Sequence, residues 1–219
     1  MPKRLKKPRF PVYIRTSIVQ NGRRTNNRYP LSIFKKKDLP YDLSNFTILI
    51  VEDSEHMQNL MASMLKVFGV GEILACANGT EAQDLLTVLQ ASKKSKYLTS
   101  VDIVLMDWLM PKGNGEQLLD WIRKSEKDAI RFLPVIVVSG YTTEYIAAKA
   151  RDMGANETLV KPISGTNLAG RICSVIDHPR PFIKSSDFFG PDRRRHNVAY
   201  EGRERRSTPA EEVKVKSNG

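Results

Sequence analysis

Cysteine is almost missing from this 219-residue chain. Cys76 and Cys173 are the only two, each among apolar neighbours and neither in a CxxC or Cys/His arrangement, which argues against a disulfide scaffold or a zinc site and fits a reducing cytosol. Histidine is equally sparse: His56, His178 and His196 stand apart, with no partner at metal-ligand spacing. No uncharged apolar run reaches the ~18 residues of a membrane span, and the basic start of the chain lacks the apolar stretch that follows the charges of a signal peptide. A soluble, uncleaved, cytoplasmic protein with no membrane partner is expected. No GK[ST] follows Gly113-Asn114-Gly115, which therefore reads as a turn and not a phosphate loop. Helical units long enough for a helix-turn-helix are missing from both ends, which argues against an ordinary DNA-binding transcription factor.

What is present is unevenly distributed. With 41% of residues hydrophobic and 27% charged, the chain can bury one domain core. The net charge of +11 divides into +10 over residues 1–45, −3 over 46–178 and +4 over 179–219. Three regions are expected: a basic N-terminal extension and linker (1–45), one folded domain (46–178) and an irregular, flexible, Arg-rich tail (179–219). In the linker, Leu39, Tyr41 and Leu43 are expected to pack against the domain.

The middle region alternates two periods. Short apolar, β-branched runs at Thr47–Val51, Ile73–Cys76, Ile103–Met106, Val135–Val138 and Thr158–Val160 read as strands covered on both faces. Between and after them, apolar residues recur at helical spacing, as in Met57, Leu60, Met61, Met64 and Leu65, and again in Leu168, Ile172, Val175 and Ile176. Gly69 and Gly154 mark helix ends, and Ser164 is suited to cap the last helix. Five βα units predict an α/β fold with a parallel, doubly wound sheet.

Ligands of such sheets gather beyond the carboxyl ends of the strands. Strand one runs into Glu52-Asp53, strand three into Asp107, strand four into Ser139 and strand five into Lys161-Pro162. Carboxylates brought together repel one another unless a cation lies among them. Oxygen ligands without His or Cys suit a hard divalent ion, Mg²⁺ above all. With an ammonium and a hydroxyl on the same rim, this is a phosphoryl site built around an acceptor carboxylate, Asp107, which would form an acyl phosphate.

The strings ILIVEDS at 48–54, VLMDWLMP at 104–111, VVSGY at 137–141 and LVKP at 159–162 carry a family resemblance. With Asn114-Gly115, ANGTEA at 77–82 and Met153-Gly154-Ala155, they resemble the receiver domain of two-component response regulators. The likeness is to the stand-alone, chemotaxis-like bacterial type with a short Arg-rich tail. The resemblance implies a flavodoxin-like, five-stranded sheet of order 2-1-3-4-5. It implies Asp107 as phospho-acceptor, Glu52, Asp53, Asp107 and the backbone carbonyl of Leu109 as Mg²⁺ ligands, Ser139 as switch hydroxyl and Lys161 as the phosphoryl-contacting cation, with a cis Lys161-Pro162 bond. A sensor histidine kinase or histidine phosphotransfer protein would be the donor, with a downstream protein target and a phosphorylation-dependent homodimer as further partners. The receiver would assist its own phosphorylation and slow dephosphorylation without being an enzyme in the ordinary sense. One departure stands out: the family usually places an aromatic residue three positions before the lysine, where this chain has Thr158, and Tyr141 and Tyr145 are the nearby substitutes.

The tail holds a weak duplicate, Gly190-Pro191-Asp192-Arg193-Arg194 and Gly202-Arg203-Glu204-Arg205-Arg206, each preceded by aromatics. Interleaved Arg and aromatic residues are also a means of binding single-stranded nucleic acid. A receiver gating basic, nucleic-acid-binding tails is thus the alternative to output by altered protein–protein affinity. A hydrolase with an Asp nucleophile is least compatible, because the position two residues after Asp107, where such enzymes often carry a second Asp, is Leu109.

Overall fold

The computed structural model describes residues 41–91, 100–111, 115–140, 144–186, 188–192 and 211–213. The basic N-terminal extension up to residue 40, Leu39 included, Tyr141 and the Arg-rich stretches after residue 192 lie outside them.

The alternating pattern folds as β1 (Thr47–Val51), α1 (Glu55–Val67), β2 (Glu72–Cys76), α2 (Gly79–Ala91), β3 (Ile103–Asp107), α3 (Gly115–Lys124), α4 (Asp128–Arg131), β4 (Val135–Ser139), α5 (Glu144–Asp152), β5 (Glu157–Val160) and α6 (Gly165–Asp177). The five strands pair in parallel, in the order β2-β1-β3-β4-β5. Every residue of β1, β3 and β4 is buried, because helices cover both faces of the sheet and successive side chains point to opposite sides. Ile48, Ile50, Ile103 and Leu105 face Met61 and Leu65 of α1 and Leu168 and Ile172 of α6. Their neighbours Leu49, Val51, Val104 and Met106 face Ala82 and Leu86 of α2 and Leu118, Leu119 and Ile122 of α3. Among the described residues no helix is long and apolar enough to cross a membrane.

The end signals operate as expected. Gly69 and Gly154 take φ of 81° and 97°, a backbone state that a side chain disfavours and that closes α1 and α5. The Ser164 hydroxyl accepts from the Asn167 amide at 3.2 Å to cap α6. Leu43 is buried, and Tyr41 packs beside it while its hydroxyl donates to Asp177.

Two features correct the expectation. The loop after α3 contains the single helical turn α4, too short for periodicity to reveal. The region from 179 onward is also not wholly irregular: β6 (Phe182–Lys184), β7 (Phe189–Pro191) and β8 (Glu211–Val213) form an antiparallel sheet of order β7-β6-β8. Apolar contacts hold it to the domain, with Phe182 and Phe189 packing their rings 4.8 and 5.2 Å from that of Phe132, just after α4. Gly190 comes so near Gly154 that an added Cβ would sit 2.9 Å from the Gly154 Cα. Buried Arg123, at the end of α3, ties these parts together by donating to the carbonyls of Gly154, Arg131 and Leu133 and to Asn156 Oδ1 at 2.8–3.1 Å.

Candidate functional site

Register fixes where the polar residues fall. Val51 pairs with Met106 and Asp107 with Val138, while Ser139 pairs with Val160. Glu52, Asp107, Ser139 and Lys161 therefore reach the same edge of the sheet at the level where its hydrogen-bond ladder runs out. Beyond that edge the chain turns: Ser54 caps α1 by accepting from the Met57 amide at 3.4 Å, and the Lys161-Pro162 bond is cis.

The structure brings the expected residues together. Oxygens of Glu52, Asp53 and Asp107 lie within 4.8 Å of one another. Lys161 Nζ donates to Glu52 Oε2 at 2.8 Å and to Asp107 Oδ2 at 2.9 Å. The other Asp107 oxygen, Oδ1, accepts from the Leu109 amide at 3.3 Å. Glu52 is 1% exposed and Asp107 6%, whereas Asp53 faces solvent. Ser139 is buried one strand away from Asp107, and its carbonyl accepts from the Lys161 amide at 2.8 Å.

Electrostatics follow from this crowding. Burial raises the Glu52 pKa; the Lys161 hydrogen bond opposes it and the Asp107 charge adds to it, with a net upward shift. Burial works to lower the Lys161 pKa but is outweighed by its hydrogen bonds to Asp107 and Glu52 and by their charges, so the ammonium is held more firmly than usual. Three carboxylates thus lie together with one ammonium, which bonds only Glu52 and Asp107. That deficit of positive charge, and a donor set made of oxygen alone, fits a hard divalent cation.

Other expected residues fall differently. Tyr145, in the first turn of α5, is 71% exposed and so does not occupy the space left by the missing aromatic; Thr158 is half-buried on β5. His56 is exposed on α1. Gln58 was not anticipated: its amide donates to the carbonyls of Glu52 at 2.6 Å and Cys76 at 2.9 Å. A lone Gln in an amphipathic helix carries no sequence signal for this role.

Comparison with known proteins agrees with the geometry. Chemotaxis protein CheY-3 of Vibrio cholerae is 30% identical over 133 residues, which are 61% of this chain and 93% of that protein. Transcriptional regulatory protein CpxR of Escherichia coli is 29% identical over 129 residues, 59% of this chain and 48% of that protein. Among solved structures, the CheX-CheY-BeF3-Mg²⁺ complex from Borrelia burgdorferi matches with a TM-score of 0.51 and 27% identity, covering 60% of this chain and 89% of that one. The signal receiver domain of a Syntrophus aciditrophicus histidine kinase matches with a TM-score of 0.50 and 26% identity, covering 60% and 90%. The sequence profile described as the response regulator receiver domain matches residues 48–173, more than half of the chain. With the parallel sheet and the acidic strand-end cluster already in place, this chain belongs to the response regulator receiver domain family.

Proposed function

We propose that this protein is a two-component response regulator that receives a phosphoryl group on Asp107, from the phosphohistidine of a sensor kinase or histidine phosphotransfer protein, and signals through altered protein–protein affinity. The observation that carries this reading is Lys161, shared between Asp107 and Glu52 with Asp53 close by. In the transfer, an Asp107 carboxylate oxygen attacks phosphorus, the O–P bond forms, the P–N bond to the donor imidazole breaks, and its electron pair stays on the departing nitrogen.

The residues divide the work. The Leu109 amide and the Lys161 ammonium each hold one Asp107 oxygen, which orients the carboxylate. Lys161 also stabilises charge developing on the phosphoryl oxygens, and the Ser139 hydroxyl would donate to another of them. Mg²⁺, held by Glu52, Asp53, Asp107 and the Leu109 carbonyl, would neutralise further phosphoryl charge. The resemblance to the Borrelia CheX-CheY complex that contains BeF3 and Mg²⁺ supports the choice of Mg²⁺ as the ion. Water would later hydrolyse the acyl phosphate, so the chain acts as a phospho-acceptor that resets itself. Ser139 leads directly into the segment before α5, so its movement toward the phosphoryl group would reshape the surface of α5 and β5, where Tyr145 and Val160 are exposed.

Intact-mass spectrometry after acetyl phosphate treatment tests the reading. Wild type should gain about 80 Da, the mass of one phosphoryl group, only with Mg²⁺ present, and Asp107→Asn should gain nothing. An adduct that survives in Asp107→Asn overturns the assignment.

A further inference from the structure

We infer that Gln58 is a positioning residue for the cation-binding carboxylates, an inference that rests on the reading of Glu52, Asp53 and Asp107 as the Mg²⁺ pocket. Strand pairing ends at this point. The Glu52 amide makes a last inter-strand bond to the Cys76 carbonyl at 3.1 Å, and the chain then leaves the sheet for α1. From one turn into that helix, Gln58 Nε2 reaches back to the carbonyls of both Glu52 and Cys76, at 2.6 and 2.9 Å. Two acceptors require the NH₂ end of the amide, so the orientation of the side chain is fixed by its partners.

The consequence is geometric. The Glu52 carbonyl belongs to the peptide plane that joins Glu52 to Asp53, and anchoring that plane sets the directions in which both side chains leave the backbone. On one side of the plane the Glu52 amide is tied to β2; on the other Gln58 ties the carbonyl to α1 and, through Cys76, to β2 again. The carboxylates are thereby aimed at Asp107 by contacts that never touch them. Outer-shell groups of this kind orient ligands and tune metal affinity.

The test is Mg²⁺ titration of the full chain, read by the fluorescence of Trp108, the buried neighbour of Asp107, beside thermal unfolding in chelator. Gln58→Met keeps the length and helix propensity but has no donor. It should weaken Mg²⁺ about tenfold, whereas Gln58→Arg, which offers paired N–H donors, should stay closer to wild type than Gln58→Met. If Gln58→Met binds Mg²⁺ within about twofold of wild type while its unfolding temperature falls, Gln58 only braces the fold and the inference is wrong. Should Gln58→Met prove unfolded, Gln58→Glu serves instead, since its carboxylate faces the same two carbonyls without donating; a wild-type affinity there would equally refute the role. A wild-type protein that shows no response to Mg²⁺ would instead overturn the underlying reading of the pocket.

Discussion

The guanidinium of Arg131 lies 3.8 Å from the centre of the Phe189 ring, joining the turn before β4 to a strand that lies beyond residues 48–173, the stretch the receiver family matches. Arg180, in the same extension, approaches the buried carboxylate of Glu157 at 3.5 Å. The extension is therefore part of the folded unit.

A chain stopped after His178 should unfold at lower temperature than one that runs past Asp192, since Phe132 would lose the rings of Phe182 and Phe189. Within the full chain, a double-mutant cycle of Arg131→Ala and Phe189→Ala should show a coupling of about 1 kcal/mol. Denaturant titration measures both, and additive losses would mean that the two groups do not interact.

Arg123→Met should destabilise the protein by about 3 kcal/mol, because carbonyls that now accept from the buried guanidinium would be left without that donor. Equilibrium unfolding in urea reads the loss. The acidic cluster of Glu52, Asp53 and Asp107 lies toward the opposite ends of β4 and β5, so Mg²⁺ affinity of the folded variant should be unchanged.

Lys161→Met should slow phosphorylation by acetyl phosphate about 100-fold and cost about 2 kcal/mol of stability at neutral pH, because two buried carboxylates would then face each other. Lowering the pH should recover part of that stability, as protonation removes the repulsion. Rates come from quenched time courses and stability from denaturant titration.

Glu52 supplies a pH signature. Its pKa is raised by folding, so the native state holds its proton more firmly than the unfolded chain does. That contribution favours the native state below the ordinary range for a glutamate and is withdrawn as pH climbs through the raised value. In chelator, the stability of Glu52→Gln minus that of wild type should accordingly increase from about pH 4 to pH 8. A difference that stays flat across that range would contradict the assignment.

The sheet was legible because strands buried on both faces are written as unbroken apolar runs, and their ends could be read directly at Glu52, Asp107, Ser139 and Lys161. The meeting of Lys161 with both Glu52 and Asp107 follows from parallel register, once the order of strands is known. Other features depend on distant partners and leave no local trace. β6 and β7 are three residues each, one containing Gly190-Pro191, and they form strands only because Phe132, Arg131 and Gly154 lie ready to receive them. Arg123 reads as an ordinary cation near a helix C-terminus, yet it is buried and bonded to three carbonyls from two other segments. Gln58 is similarly silent, since only the turn of the backbone between β1 and α1 gives its amide two acceptors.

The meeting of Gly154 and Gly190 has a practical corollary. Where two main chains touch without an intervening side chain, one methyl group acts as a wedge, so Gly190→Ala should prise the C-terminal strands from the domain while leaving every charge and every hydrogen-bonding side chain in place. Such a variant would separate what the appended strands contribute from what the proposed phospho-acceptor pocket does alone.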